Sequence, residues 1–389
     1  MGKYNFDEII DRKGTNALKY DFAIQRGRPE DVLPLWVADM DFKTAPCITE
    51  RLREDIELGI FGYSESTDSY FHAVYQWMKQ SFAWEVKNEW LVKTPGIVFA
   101  LAMAVKAFTR PKESVMIQNP VYYPFAEVIT DNDRYIVDNT LINQDGHYEI
   151  DFFDMEQKIK DFHVKLFLFC SPHNPVGRVW KEWELKKIGE LCLKYNVIIV
   201  SDEIHADFVF HGNKHLVFSS IDKRFEKISV ICTSPTKTFN LAGFQIANIF
   251  IADKELRETF ILEKSKAGFS QVGMPGLSAC QAAYEGGLEW FLQLREYLEE
   301  NLLYTKEFLE TELPKIKLIE PEGSYLLWLD FRAYGYDVKQ LNDKITNEAK
   351  LWLDSGEIFG PCGEGFQRIN IACPKKILQL AFERLKEVF

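Results

Sequence analysis

The sequence predicts an α/β protein: a large domain with a mostly parallel sheet flanked by helices, and a smaller α+β domain at the C-terminal end. Three observations carry that reading. Short runs that are apolar on both faces recur from about residue 90, amphipathic segments separate them, and the texture changes to long helical stretches after about residue 275. Strands apolar on both faces belong to a sheet covered by helices on each side. Strand and helix in alternation is the pattern of parallel crossovers.

The expected strands are SVMIQ (114–118), KLFLFC (165–170), NVIIVS (196–201), ISVICTS (228–234) and ANIFIA (247–252). Between them, KEWELKKIGELCLKYN (181–196) places Leu185, Ile188, Leu191 and Cys192 on one helical face. TPGIVFALAMAVKAF (94–108) is apolar all round and predicts a buried helix. Toward the C-terminus one long helix is expected up to Pro314, then a strand over SYLLWLDF (324–331) and a last helix over KKILQLAFERLKEVF. The expected division is residues 46–285 as the large domain and 286–389 as the small one, with residues 1–45 joining the small domain.

Composition narrows the class. The 389 residues are 47% apolar and 14% aromatic, enough for a sizeable core, and the net charge is −12. No basic run suggests a nucleic-acid partner, and no apolar run approaches the length needed to cross a bilayer. The seven cysteines lie far apart without a C-x-x-C pair, which fits reduced thiols in a cytoplasmic protein. The first residues lack an apolar signal segment; Gly2 is followed by Phe6 where a myristoylation site wants Ser or Thr. His211 and His215 have metal-pair spacing, but Gly212 and Asn213 between them argue for a loop, so no metal site is expected.

In open α/β sheets ligands bind beyond the carboxyl ends of the strands. Directly after three of the expected strands stand Asn174, Asp202 with His205, and Ser234 with Lys237. An amide, a carboxylate and an amine brought to one crevice suit pyridoxal 5′-phosphate (PLP). Lys237 would form the imine with the cofactor aldehyde, Asp202 would keep the pyridine nitrogen protonated, and Asn174 would hold the ring's phenolate oxygen. The phosphate would take the N–H groups of Ile97 and Val98 at a helix start, with the hydroxyl of Ser234. The bland alternatives are a surface lysine, a helix-capping Asp202 and a turn-forming Asn174.

The segments PLWVADMDF (34–42), FGYSES (61–66), NPVYYPF (119–125), SPHNPVGRVW (171–180), SDEIHADF (201–208), SPTKTFNLAGF (234–244), GSYLLWLDF (323–331) and GFQRINIACP (365–374) resemble, in order, those of fold-type I PLP enzymes. More narrowly they resemble the MalY/PatB-type cystathionine β-lyase (C–S lyase) family of the aminotransferase superfamily. The resemblance implies an aspartate aminotransferase-like fold and a homodimer with shared active sites. It also implies Tyr122 stacked on the pyridine ring and Tyr63 reaching the phosphate bound by a neighbouring subunit. Arg368 would clamp the substrate α-carboxylate, and His205 would sit among the cofactor contacts. Aminotransferases usually carry Tyr where this chain has His205, and often Arg where it has Gln245; both departures favour the lyase branch. The implied reaction is α,β-elimination from L-cystathionine or related cysteine S-conjugates. An aminotransferase, or a non-catalytic regulatory protein on the same scaffold, stays open as an alternative.

Overall fold

The computed structural model describes residues 3–210 and 212–389, so Gly2 and His211 lie outside the described residues. Among these, the principal sheet has seven strands: β1 Leu91–Thr94, β2 Ser114–Ile117, β3 Tyr135–Asp138, β4 Leu166–Cys170, β5 Ile198–Asp202, β6 Ser229–Thr233 and β7 Ala247–Phe250. Their spatial order is β1-β7-β6-β5-β4-β2-β3. The pairs from β6 through β3 are all parallel. β4 and β6 are buried along their whole length, as strands covered on both faces must be.

The sheet is mixed at one end, because β7 runs antiparallel to both β6 and β1. The reason lies in the connection. Residues 234–246 hold only the short helix Pro235–Thr238 and a 3₁₀ turn, with no long helix to carry the chain back for a parallel return. β1, β3 and the hairpin of Ile142–Gln144 with His147–Glu149 were not among the expected strands.

The expected helices form with small shifts: Ile97–Phe108, Glu182–Tyr195 and Lys375–Lys386. The one long helix expected before Pro314 is two, Met274–Gly286 and Leu288–Glu312. They part at Gly287, where a Cβ would stand 2.3 Å from the Phe239 ring and 2.5 Å from the Ala283 carbonyl oxygen. The close approach of these groups demands a residue without a side chain.

A second, antiparallel sheet orders β8 Lys317–Leu318, β9 Leu326–Asp330, β11 Phe366–Asn370 and β10 Asp354–Ser355. The N-terminal segment reaches this region: Leu33–Pro34 pairs in parallel with Leu351–Trp352, and Trp36 stacks on Trp352 at 4.4 Å. We propose that residues 286–389, joined by residues 1–45, form the smaller domain beside a larger one over 46–285; these contacts support it. Residues 36–42 then run between the two sheets as a strap. Asn370 Nδ2 donates to the carbonyls of Val37 and Asp39, and Asn240 exchanges hydrogen bonds with Met40 and Phe42.

Gly189 marks how tightly the helix Glu182–Tyr195 lies on the layer below, for a Cβ there would come within 2.1 Å of the Phe225 ring. Phe225 is itself stacked on Phe218 at 5.2 Å and cannot easily withdraw. Gly189→Ala should therefore lose roughly 1–3 kcal/mol of stability through overpacking, despite the better helix propensity of alanine. Denaturant melts check this; an unchanged or raised midpoint would show that the ring has room to move.

Candidate active site

A cavity of about 400 Å³ opens beyond the carboxyl ends of β4, β5 and β6. Its wall brings together Ile97, Val98, Tyr122, Asn174, Asp202, His205, Lys237 and Arg368. These come from six stretches of chain that converge only in the folded state.

Lys237 sits on the short helix that follows β6, with Ser234 as its N-cap. Among the described residues its amine makes no hydrogen bond or ion pair. Burial lowers the amine to about 8, with Arg368 adding to the shift and Asp39 and Asp202 opposing it. A primary amine near neutrality is a usable nucleophile and base.

Asp202 ends β5, and its Oδ1 accepts the N–H of Ile204 at 3.1 Å. Burial pushes this carboxyl up to about 7 against that hydrogen bond and the Lys237 charge. The next residue faces the other way: Glu203 accepts from Ser201 Oγ and the Phe218 N–H and meets His215 Nε2 at 2.8 Å. His215 is thus a structural partner of Glu203.

Asn174 is held by the loop 171–180. His173 Nε2 lies 2.8 Å from the Pro120 carbonyl, Trp180 Nε1 donates to the Cys170 carbonyl, and Arg178 pairs with Glu184 and Glu322. Arg368 Nη1 donates to Asn174 Oδ1 at 2.9 Å. That fixes the amide orientation and leaves Nδ2 as a donor for the cavity.

Arg368 lies in the middle of β11, opposite Trp328 on one side and Asp354 on the other. Its Nη2 donates to the Trp36 carbonyl at 3.0 Å and pairs with Asp354, and its plane covers the Phe359 ring at 4.9 Å. At the opposite end, the helix Ile97–Phe108 begins after Gly96, which has φ +101° and no side-chain cap beyond it. Its first N–H groups lack intrahelical acceptors and, with the helix dipole, favour an anion.

His205 is buried, and desolvation, with Lys237 and Arg368 adding, pushes its imidazole down to about 3, so it is neutral at pH 7. Its Nδ1 is 3.3 Å from Ser324 Oγ. Burial raises the Tyr122 phenol, whose ring packs 5.1 Å from that of Tyr123.

One expectation is revised. The hydroxyl expected from Ser234 is already engaged: it donates to the Ile246 carbonyl at 2.6 Å and caps the N–H of Thr236. Thr236 lines the cavity instead, two residues on, because the capping turn directs position 234 back into the sheet. Tyr63, expected at the phosphate of a neighbouring subunit, is fully exposed on a segment without helix or strand. The wall also includes Trp36, Tyr123 and Asp354, to which sequence reasoning gave no role. Trp36 and Tyr123 lay inside quoted motifs, whereas Asp354 in LWLDSGEIF had no local signal.

The sign of the Asp202 shift sets a pH window. Its carboxyl is raised in the folded state from 3.8 to about 7, so this group's contribution to stability falls as pH climbs through that interval. Lys237, depressed from 10.5 to about 8, titrates above it; His205 and Asp207 titrate within it, and comparison with a neutral side chain at 202 cancels their contributions. In cofactor-free protein, Asp202→Asn should gain stability over wild type between pH 4 and pH 7, on the order of 1–4 kcal/mol. Urea melts at both ends of the window check this; a gap that does not widen would contradict it.

The arrangement has parallels among known proteins. Residues 30–385 match the model of the aminotransferase class I and II family. The chain is 43% identical over 382 residues to cystathionine beta-lyase PatB of Bacillus subtilis (strain 168), covering 98% of this chain and 99% of that one. Its fold matches the crystal structure of cystalysin from Treponema denticola, which contains a pyridoxal 5′-phosphate cofactor. The TM-score is 0.96 at 38% identity, covering 99% of this chain and 98% of that one. It also matches the PLP-bound C-S lyase from Staphylococcus hominis, with TM-score 0.93 at 33% identity over 99% and 98% of the two chains. The chain belongs to the aminotransferase class I and II family, within its MalY/PatB branch.

Proposed function

We propose that the protein is a PLP-dependent carbon–sulfur lyase that converts L-cystathionine or related cysteine S-conjugates to a thiol, pyruvate and ammonia. The observation that carries this is a half-buried amine without a partner among the described residues, sharing one cavity with a buried carboxyl raised to about 7. A protonated ring nitrogen is the cation that would return Asp202 to its ionised form. The uncapped helix start at Gly96 fits a phosphate, and Arg368 fits a carboxylate. The residues present therefore fit the cofactor.

Bound PLP supplies an electron sink for negative charge at the substrate Cα. Lys237 holds the cofactor and, once substrate has entered, takes the Cα proton as general base. Asp202 would be ionised by pairing with the ring nitrogen, and Tyr122 would pack on the ring. Asn174 Nδ2 would donate to the ring oxygen, while neutral His205 adds no charge to the cavity. The N–H groups of Ile97 and Val98 would hold the phosphate. Arg368 orients the substrate by its α-carboxylate. Lys237, carrying the proton it removed, would return it to the departing sulfur.

The active unit in this reading is a homodimer in the cytoplasm. The exposed side chains of Ile60, Phe61 and Tyr63 support an interface on that segment. Tyr63 would then reach the phosphate site of the neighbouring subunit. Among the described residues no helix is long and apolar enough to cross a membrane.

Purified PLP-loaded protein given L-cystathionine should release thiol and pyruvate, and given a keto acid with an amino donor should form little new amino acid. Lys237→Ala should cut pyruvate release by roughly 10³-fold or more, in line with loss of a general base together with the cofactor's anchor. Near-normal release by that variant would remove Lys237 from the chemistry. Efficient amino transfer without thiol release would favour the aminotransferase.

A further inference from the structure

The Arg368 guanidinium has five N–H donors, and the structure spends most of them before any substrate arrives. Nη1 gives one to Asn174 Oδ1, and Nη2 gives its two to the Trp36 carbonyl and to Asp354 Oδ2. Nε is buried and has no partner among the described residues. A carboxylate bound by both oxygens needs two adjacent donors, and each edge of the fork includes Nη2. Asp354 is therefore seated where one oxygen of an incoming carboxylate would go. It stands directly across from Arg368 in the strand register, is buried, and lines the same cavity.

We propose that Asp354 is a specificity-determining residue of the carboxylate subsite: it occupies a donor that the substrate α-carboxylate needs, and so moderates the preference for an acid over a neutral amide. This rests on the reading of Arg368 as the carboxylate clamp. Before substrate binds, the Arg368–Asp354 pair is already neutral. An entering carboxylate displaces Asp354 from Nη2 and leaves two like charges sharing one guanidinium in a poorly hydrated cavity. A carboxamide brings no charge and escapes that repulsion. With a neutral residue at position 354, the buried guanidinium lacks a counter-ion, and the substrate carboxylate becomes the group that supplies it. Trp36 and Asn174 remain to hold the fork in place.

The test uses PLP-loaded protein and two probes, S-ethyl-L-cysteine and its α-carboxamide, with thiol release read as kcat/KM. In Asp354→Asn the acid-to-amide ratio should rise about tenfold over wild type, mainly through a lower KM for the acid. Asp354→Ser carries the same expectation and serves if the first variant fails to fold. A ratio that stays constant while both probes slow together would make Asp354 a purely structural support, and a falling ratio would make it a helper of carboxylate binding. Either result overturns the proposal. Arg368→Met separates the two readings. If the ratio collapses toward unity in that variant but does not respond to position 354, the clamp stands and the proposal for Asp354 fails. If the ratio ignores Arg368 as well, the clamp reading itself fails.

Discussion

The structure depends on holding a half-buried amine and a buried carboxyl at the ends of adjacent strands without letting them neutralise each other. β5 and β6 are parallel neighbours, with Asp202 opposite Cys232 in register. Lys237 follows β6 by a capped turn that sets its side chain over the same crevice. Burial pushes the amine down to about 8 and the carboxyl up to about 7. Each is costly to keep in its charged form, and each is relieved by the same kind of ligand: an electrophilic carbonyl for the amine, a cationic ring for the acid.

The polar residues around this pair serve mostly to fix positions. The strap of residues 36–42 is pinned from one side by Asn240 and from the other by Asn370, so the two sheets are tied through a segment that also walls the cavity. Arg368 takes its place from that arrangement, with Trp36 offering a carbonyl from the strap and Asn174 an amide oxygen from the loop after β4. A substrate carboxylate thus meets a fork whose direction is set by both sheets.

Much of this was legible in the sequence. The five strands expected in the larger sheet stand within a few residues of their places because two-sided burial makes each a continuous apolar run. Asn174, Asp202 and Lys237 could be assigned to one crevice because each directly follows such a run. The direction of β7 was not legible, since it depends on the shortness of the 234–246 connection and not on the strand itself. The break at Gly287 comes from packing against Phe239, distant in sequence, so helical periodicity runs straight through it. Ser234 and Thr236 are both hydroxyl residues within one motif, and only the backbone turn decides which of them faces the cavity. Asp354 needed the register of two strands to acquire any meaning. Tyr63 stands apart, because its proposed role lies across an interface that one chain does not contain.

The central claim is that the amine at position 237 carries the cofactor. Borohydride reduction of the PLP-loaded protein, followed by peptide mass mapping, tests it most directly. The account predicts a stable pyridoxyl label on the peptide containing Lys237, and a label on a different lysine, or on none, would contradict it.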